Sequence, residues 1–198
     1  MALVEAAVVV YLRALSPVEA PLAALQAVIP TRLIVIEMYR EATTIIMLLA
    51  VAVLAGRDGW QRFLVFAFAF GTWDVFYYVW LWVFLGWPPS LLTWDVLFLI
   101  PVPWIAPVLA PVIVSVCLVA GSLWLLARQS RETGAIHGLP WLAWALAAAG
   151  GALVLLSFTL DSRAALAGGR APDYRWGLFG TGVGLAVLAL VAGVRRRR

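Results

Sequence analysis

Four ionisable side chains lie inside apolar runs where charge is costly: Glu37, Arg40, Glu41 and Asp74. Asp95 joins them if its own segment folds inward. Glu37, Arg40 and Glu41 follow one another at spacings of three and one, so Glu37 shares a helix face with both of the others. Arg40 can pair with either carboxylate, which leaves one acid uncompensated. Asp74 lies about 21 Å along a helix from Trp60, too deep for so short a side chain to reach water. A charged side chain at the centre of a bilayer costs on the order of 3 kcal/mol and as a rule faces a partner or a cavity. The chemistry on offer is binding or transport of a proton, a cation or a small polar solute. The structural alternative is an Arg40-centred ion-pair network that fixes helix packing.

Depth along the chain brings these groups together. Glu41 precedes Gly56 by the same stretch of chain by which Asp74 follows Gly59. On antiparallel neighbours they therefore sit at similar height, and Arg40 can bridge to Asp74. Tyr77 and Tyr78 lie a turn beyond Asp74, and Tyr39 adjoins Arg40, which supplies phenol donors. Thr72-Trp73-Asp74-Val75-Phe76 is echoed by Thr93-Trp94-Asp95-Val96-Leu97. The echo places a Thr and an Asp two apart beside a large ring in both stretches. If the second stretch folds back, Asp95 approaches the layer of Asp74 and Glu41.

The elements that must position these residues follow from composition. The chain has 198 residues, 65% hydrophobic and only 12% charged, with a mean hydropathy of +1.00. A soluble domain is roughly half apolar and a quarter charged. A soluble enzyme, a disordered chain and a nucleic-acid binder are thereby excluded. A membrane helix needs about 20 mostly apolar residues. Five segments meet this: Leu33 to Ala55, Trp60 to Leu85, roughly Trp104 to Ala127, Leu139 to Leu160, and Trp176 to Val194. Short connections rich in Gly and Pro join them. In the N-terminal segment before Leu33, the apolar stretch Ala2 to Leu15 is too short to span, and Pro17, Pro21 and Pro30 follow it. Two short interfacial helices are expected there, with a sixth span as the alternative. The stretch Leu91 to Pro111 carries Pro101, Pro103, Pro107 and Pro111, which cannot share one regular helix. It reads as a re-entrant hairpin or a broken helix, or else as an interfacial helix followed by a kinked one. The third helix then begins as late as Pro111.

All 14 basic side chains are Arg, and the net charge of +4 is matched by Arg195 to Arg198, a basic tail that reads as a cytoplasmic stop. With five spans, eight arginines fall on the side of the C-terminus and five on the other, which places the C-terminus inside. The Glu5-containing start has no basic region and no small-residue cleavage site, so the mature protein is expected to begin near Met1. The single Cys117 excludes an internal disulfide. The single His137 excludes bis-histidine haem ligation within one chain. No CxxC, HExxH, GxSxG or P-loop is present, and no hydrolytic nucleophile with a base is visible, which argues against an enzyme. A carboxylate-only site from Glu37, Glu41, Asp74 and Asp95 would suit a hard cation. The metal and the cofactor stay open. Among the 11 Trp residues, Trp60, Trp87, Trp104, Trp141 and Trp176 fall near span ends as an aromatic belt. Trp73, Trp80, Trp82 and Trp124 lie deeper and are expected to pack or to shape a cavity. Gly180 and Gly184 have the spacing that lets helices approach closely. They are expected to pack the last two helices together or against the others, with homodimerisation as the alternative.

The stretch from Glu37 to Pro111 resembles a family of bacterial polytopic integral membrane proteins. The resemblance is carried by Trp73-Asp74-Val75-Phe76-Tyr77-Tyr78, Gly86-Trp87-Pro88, Leu91-Leu92-Thr93-Trp94-Asp95 and Pro101-Val102-Pro103-Trp104. It implies no particular activity or cofactor. The expected molecule is an all-α membrane protein of about five transmembrane helices in one bundle, set in the bacterial inner membrane. Its candidate ligand- or ion-binding residues are Glu37, Arg40, Glu41, Asp74, Asp95 and Tyr78. Its partners are the lipid bilayer and either copies of itself or a larger membrane complex, not nucleic acid. Two further function classes stand beside transport: an accessory or assembly subunit whose charges are structural, and, with least support, a membrane enzyme acting on a lipid or isoprenoid.

Overall fold

The structure, a computed structural model, describes residues 1–15, 31–131, 140–162 and 173–195. The expected second N-terminal helix, His137 and the last three arginines lie outside the described residues. Among the described residues there are six helices and one hairpin: α1 (Ala2–Leu15), α2 (Thr31–Ala55), α3 (Gly59–Leu85), β1 (Trp94–Phe98), β2 (Trp104–Pro107), α4 (Leu109–Arg131), α5 (Trp141–Thr159) and α6 (Trp176–Arg195). The five helices α2 to α6 are long and apolar enough to cross a membrane, which is compatible with a polytopic membrane protein.

The turn between α2 and α3 is built as its Gly-Arg-Asp-Gly sequence suggests. The Asp58 side chain accepts from the Gln61 amide at 2.9 Å and caps α3. At the other end Gly86 adopts φ +62, a left-handed conformation open to glycine, and its amide closes the helix by donating to Trp82 O. Along α3 the buried residues are Leu64, Ala67, Gly71, Asp74, Tyr78 and Leu81. Their spacing of three and four makes one stripe. It faces α4, and Gly71 sets the distance: a Cβ there would lie 2.6 Å from the backbone oxygen of Ser115.

Between α3 and α4 the chain forms a hairpin, one of the expected alternatives, but one built of β-strands. The stretch is neither an interfacial helix nor the start of a span. Trp94–Phe98 and Trp104–Pro107 pair antiparallel, with Asp95 opposite Ala106, Val96 opposite Ile105, and an irregularity before Phe98 opposite Trp104. Two further bonds tie the base to α4: the Val108 amide to Thr93 O at 2.9 Å and the Leu109 amide to Leu91 O at 2.7 Å. The four prolines explain the choice. Pro101 and Pro103 fall in the tip, Pro107 ends β2, and Pro111 sits in the first turn of α4, where a helix has no use for the missing N–H. The third long helix therefore begins at Leu109, not Trp104, and the fold is not purely α.

The hairpin tip reaches the middle of the helices. The Phe98 ring lies 6.2 Å from both Phe70 and Trp73. Both of those residues stand near the midpoint of α3. Trp104 meets Phe158 of α5 at 6.4 Å, and Trp94 meets Tyr174 at 5.9 Å. The hairpin thus lies between α3 on one side and the α5–α6 pair on the other. At the opposite end of α3, Trp60 and Phe63 each lie 5.6 Å from Trp144 of α5.

The α5–α6 pair is the tightest in the fold. A Cβ on Gly150 would stand 2.5 Å from Gly182 O, and one on Gly182 would stand 2.7 Å from Gly150 O. The two helices pack on each other as expected, but Gly180 and Gly184 meet nothing within 4 Å. The tryptophans are also redistributed. Trp104 belongs to the hairpin and not to a helix end. Trp82 and Trp124 face outward, at 64% and 46% exposure, whereas Trp73 and Trp80 pack inside.

Candidate functional site

The first cluster joins α1 to α2. Ala6 is fully buried against Tyr78, Leu81 and Val108, which seats α1 along the bundle. That seat carries Glu5, 5% exposed, to the middle of α2. One Glu5 oxygen accepts from the Thr44 hydroxyl, and the other pairs with Arg40. Arg40 Nε donates to Glu37 at 2.7 Å. Arg40 therefore bridges Glu37 and Glu5. The expected bond from Arg40 to Asp74 is not formed, because Asp74 points to α4. Tyr39, beside Arg40 in sequence, faces outward at 72% exposure. Tyr77 lies within electrostatic reach of Arg40.

Glu41 makes the second contact. Both of its oxygens accept from the Leu99 amide, at 2.9 and 3.1 Å, and the Ile100 amide adds to the same carboxylate. A carboxylate on α2 thus satisfies backbone donors at the hairpin tip, where a strand end would otherwise leave them orphaned.

The third group runs along the α3–α4 seam. Ser115 Oγ donates to Asp74 Oδ2 at 2.7 Å, with both residues buried. One turn further along α3, Tyr78 OH donates to Asp95 Oδ2 at 3.0 Å. The inward fold of Asp95, expected only if its segment turned back, is realised by β1.

All six candidates, Glu37, Arg40, Glu41, Asp74, Asp95 and Tyr78, are buried or half-buried between α1, α2, α3, α4 and the hairpin. They form separate bonded groups and not one cage. Among the described residues, no three His, Cys, Asp or Glu side chains converge as a metal ion needs. Three participants were not singled out from the sequence. Glu5 had a signal, an acid within the short apolar helix α1. Thr44 and Ser115 had none, since a hydroxyl in an apolar helix ordinarily bonds its own backbone.

A separate polar group closes the far end of the α5–α6 pair. Arg175 holds Asp161 bidentately at 2.6 and 3.0 Å and keeps its carboxyl below the usual aspartate range. Tyr174 shares a 2.9 Å bond with Ser157, and burial pushes its phenol up to about 12.

Fold and site together define a helical bundle of five long apolar helices with Glu5, Glu37, Glu41, Asp74 and Asp95 turned inward. Comparison with family models, with curated proteins and with solved structures finds no match for this chain.

Proposed function

We propose that the protein is a multi-pass membrane protein that binds and passes protons through its interior, with Asp74 as the central proton-binding carboxyl. The observation that carries this is Asp74 itself: it is 8% exposed, midway along the 27-residue α3, and the bond it accepts comes from a neutral serine. The charge balance around it supports the reading. Glu5, Glu37, Glu41, Asp74 and Asp95 all turn inward, while Arg40 is bonded to only two of them. In an apolar interior, a carboxylate held by neutral donors is costly unless it takes up a proton or a cation. A proton is favoured over a metal ion, since no three acids converge among the described residues.

In this reading the hairpin is re-entrant. It enters from the side where α3 ends, and its tip lies at mid-depth beside Phe70 and Trp73. The setting is a bacterial inner membrane with the arginine-rich C-terminus in the cytoplasm.

The test is proton flux into liposomes holding the purified protein, driven by a potassium diffusion potential and read with an enclosed pH dye. Wild-type protein conducts and Asp74→Asn does not, while its helical circular dichroism is retained. An infrared band of the protonated Asp74 carboxyl disappears in the same variant. Equal flux and an unchanged band in Asp74→Asn would refute the proposal. A second reading, an accessory subunit with structural charges, has one observation in its favour: Glu5 and Glu41 each tie α2 to a different element. It predicts co-purification with partner chains in mild detergent and no flux.

A further inference from the structure

Tyr78 and Asp95 lie on the elements beside Asp74, and the reading above leaves both without a role. Asp74 and Tyr78 lie one turn apart on the face of α3 that meets α4, and both are buried. Val112 of α4 packs on the cluster that holds Tyr78, and Ser115, one turn on, donates to Asp74. Two acid–hydroxyl pairs are therefore stacked along one seam. Tyr78 OH already points its proton at Asp95 Oδ2, 3.0 Å away. Asp95 is fixed on β1 opposite the fully buried Ala106, so the hairpin delivers it to this seam at a defined register. Beyond Asp95, towards the C-terminal end of α3, the Arg13 guanidinium stacks 4.3 Å over the Trp87 ring and acts on the Asp95 carboxylate.

We propose that Tyr78 and Asp95 form a relay that carries protons between Asp74 and the end of the bundle where α3 terminates. The inference rests on Asp74 as the proton-binding carboxyl. In the transfer, the Tyr78 O–H bond breaks as an O–H bond forms on Asp95 Oδ2. The Tyr78 oxygen takes up the proton that leaves the Asp74 carboxyl. The net change is one proton moved from Asp74 to Asp95, with the phenol regenerated and no net charge created on it. Asp74 and Tyr78 are one helical turn apart on the same face, and in this relay one bridging water stands between the Asp74 carboxyl and the Tyr78 hydroxyl. Among the charged and titratable groups on the elements packed here, Arg13 of α1 acts on Asp95, Tyr77 of α3 lies within electrostatic reach of Asp74, Asp95, Arg13 and Arg40, and Glu5 and Glu41 lie beside Arg40 of α2. The seam side of α4 contributes the neutral Ser115.

The same liposomes test the relay with Tyr78→Phe, Asp95→Asn and Asp95→Glu, each also examined by infrared for the Asp74 carboxyl band. The expected result is a retained Asp74 band in all three, with flux reduced on the order of tenfold or more in Tyr78→Phe and Asp95→Asn. Asp95→Glu, which keeps a carboxyl on β1, recovers part of that flux. If Tyr78→Phe and Asp95→Asn conduct like wild type while Asp74→Asn does not, the relay is wrong and Asp74 keeps its role. If the Asp74 band is lost along with the flux, the bond from Tyr78 to Asp95 is only an anchor and the relay is again wrong. If Asp74→Asn conducts like wild type, the earlier reading fails and the relay fails with it.

Discussion

Replacing Gly71 with alanine tests the geometry of the site without touching a polar side chain. The added Cβ would lie 2.6 Å from Ser115 O, 3.0 Å from Val119 Cγ2 and 3.3 Å from Leu118 Cβ. The nearest of these is a backbone atom, so no rotamer change relieves it. Restoring ordinary contact requires α4 to move away from α3 by about 0.8 Å. The bond from Ser115 to Asp74, now 2.7 Å, would then stretch to about 3.5 Å, past the useful range. Overpacking costs about 1–3 kcal/mol, and a buried acceptor left without its donor costs about 1–3 kcal/mol more. The expected loss is therefore about 2–6 kcal/mol. Gly151 provides the control, because nothing lies within 4 Å of its would-be Cβ. Gly151→Ala is expected to be neutral or to gain about 0.5–1 kcal/mol from helix propensity. Denaturant titration in detergent, followed by tryptophan fluorescence, measures both variants. Infrared spectroscopy reads the Asp74 carboxyl, whose band should shift in Gly71→Ala alone. Equal unfolding midpoints for the two variants, with no band shift, would show that α3 and α4 are not held at the distance described.

The same control serves the other helix pair: Gly150→Ala, with its Cβ 2.5 Å from Gly182 O, should be less stable than Gly151→Ala by about 2 kcal/mol or more. Glu5→Ala removes the partner of Arg40 and of the 1% exposed Thr44 hydroxyl. It should cost about 3 kcal/mol and expose α1 to limited proteolysis, whereas Glu5→Gln, which keeps an acceptor for Thr44, should cost less; identical digestion of both variants and wild type would contradict the docking of α1. The bond from Arg175 to Asp161 lowers the Asp161 carboxyl below 3.8, so its contribution is present above that pH and fades as pH falls through the lowered value. The stabilities of wild type and Asp161→Asn should therefore converge in acid below pH 3.8, and a gap that persists there would assign the difference to something other than ionisation.

The five long helices were legible in the sequence because a run of about 20 apolar residues is a one-dimensional signal. Their ends agree to within a few residues, except where prolines intervene. The prolines between Leu91 and Pro111 announced a break and allowed a hairpin, but they did not say that its arms would be paired β-strands. Strand pairing depends on register between residues well separated along the chain, and the irregularity before Phe98 hides any clean alternation. Height along the helices was also legible. Glu41 and Asp74 do lie mid-helix, and both meet other elements there. Direction around the helix was not. Asp74 shares its stripe with Gly71 and Tyr78 and so turns to α4, while Arg40 turns to α1 and finds Glu5. A residue count fixes depth, but the azimuth of each partner is set by which neighbour packs where. The same limit explains the glycines: spacing singled out Gly180 and Gly184, whereas the close approach runs through Gly150 and Gly182.

The hairpin imposes an order on the assembly of the molecule. Its strands precede α5 and α6 in the chain, yet part of its seat is made of Phe158 and Tyr174, which are synthesised later. A two-stranded ribbon has outer edges whose backbone groups need cover when they lie among apolar surroundings. Glu41, already made, offers early cover for the tip through Leu99 and Ile100. The face towards Phe158 and Tyr174 has none until the last third of the chain has emerged. A chain halted before α5 should therefore hold its hairpin on one side only, and the final helix pair acts as the closing wall of the site rather than as an appendage to it.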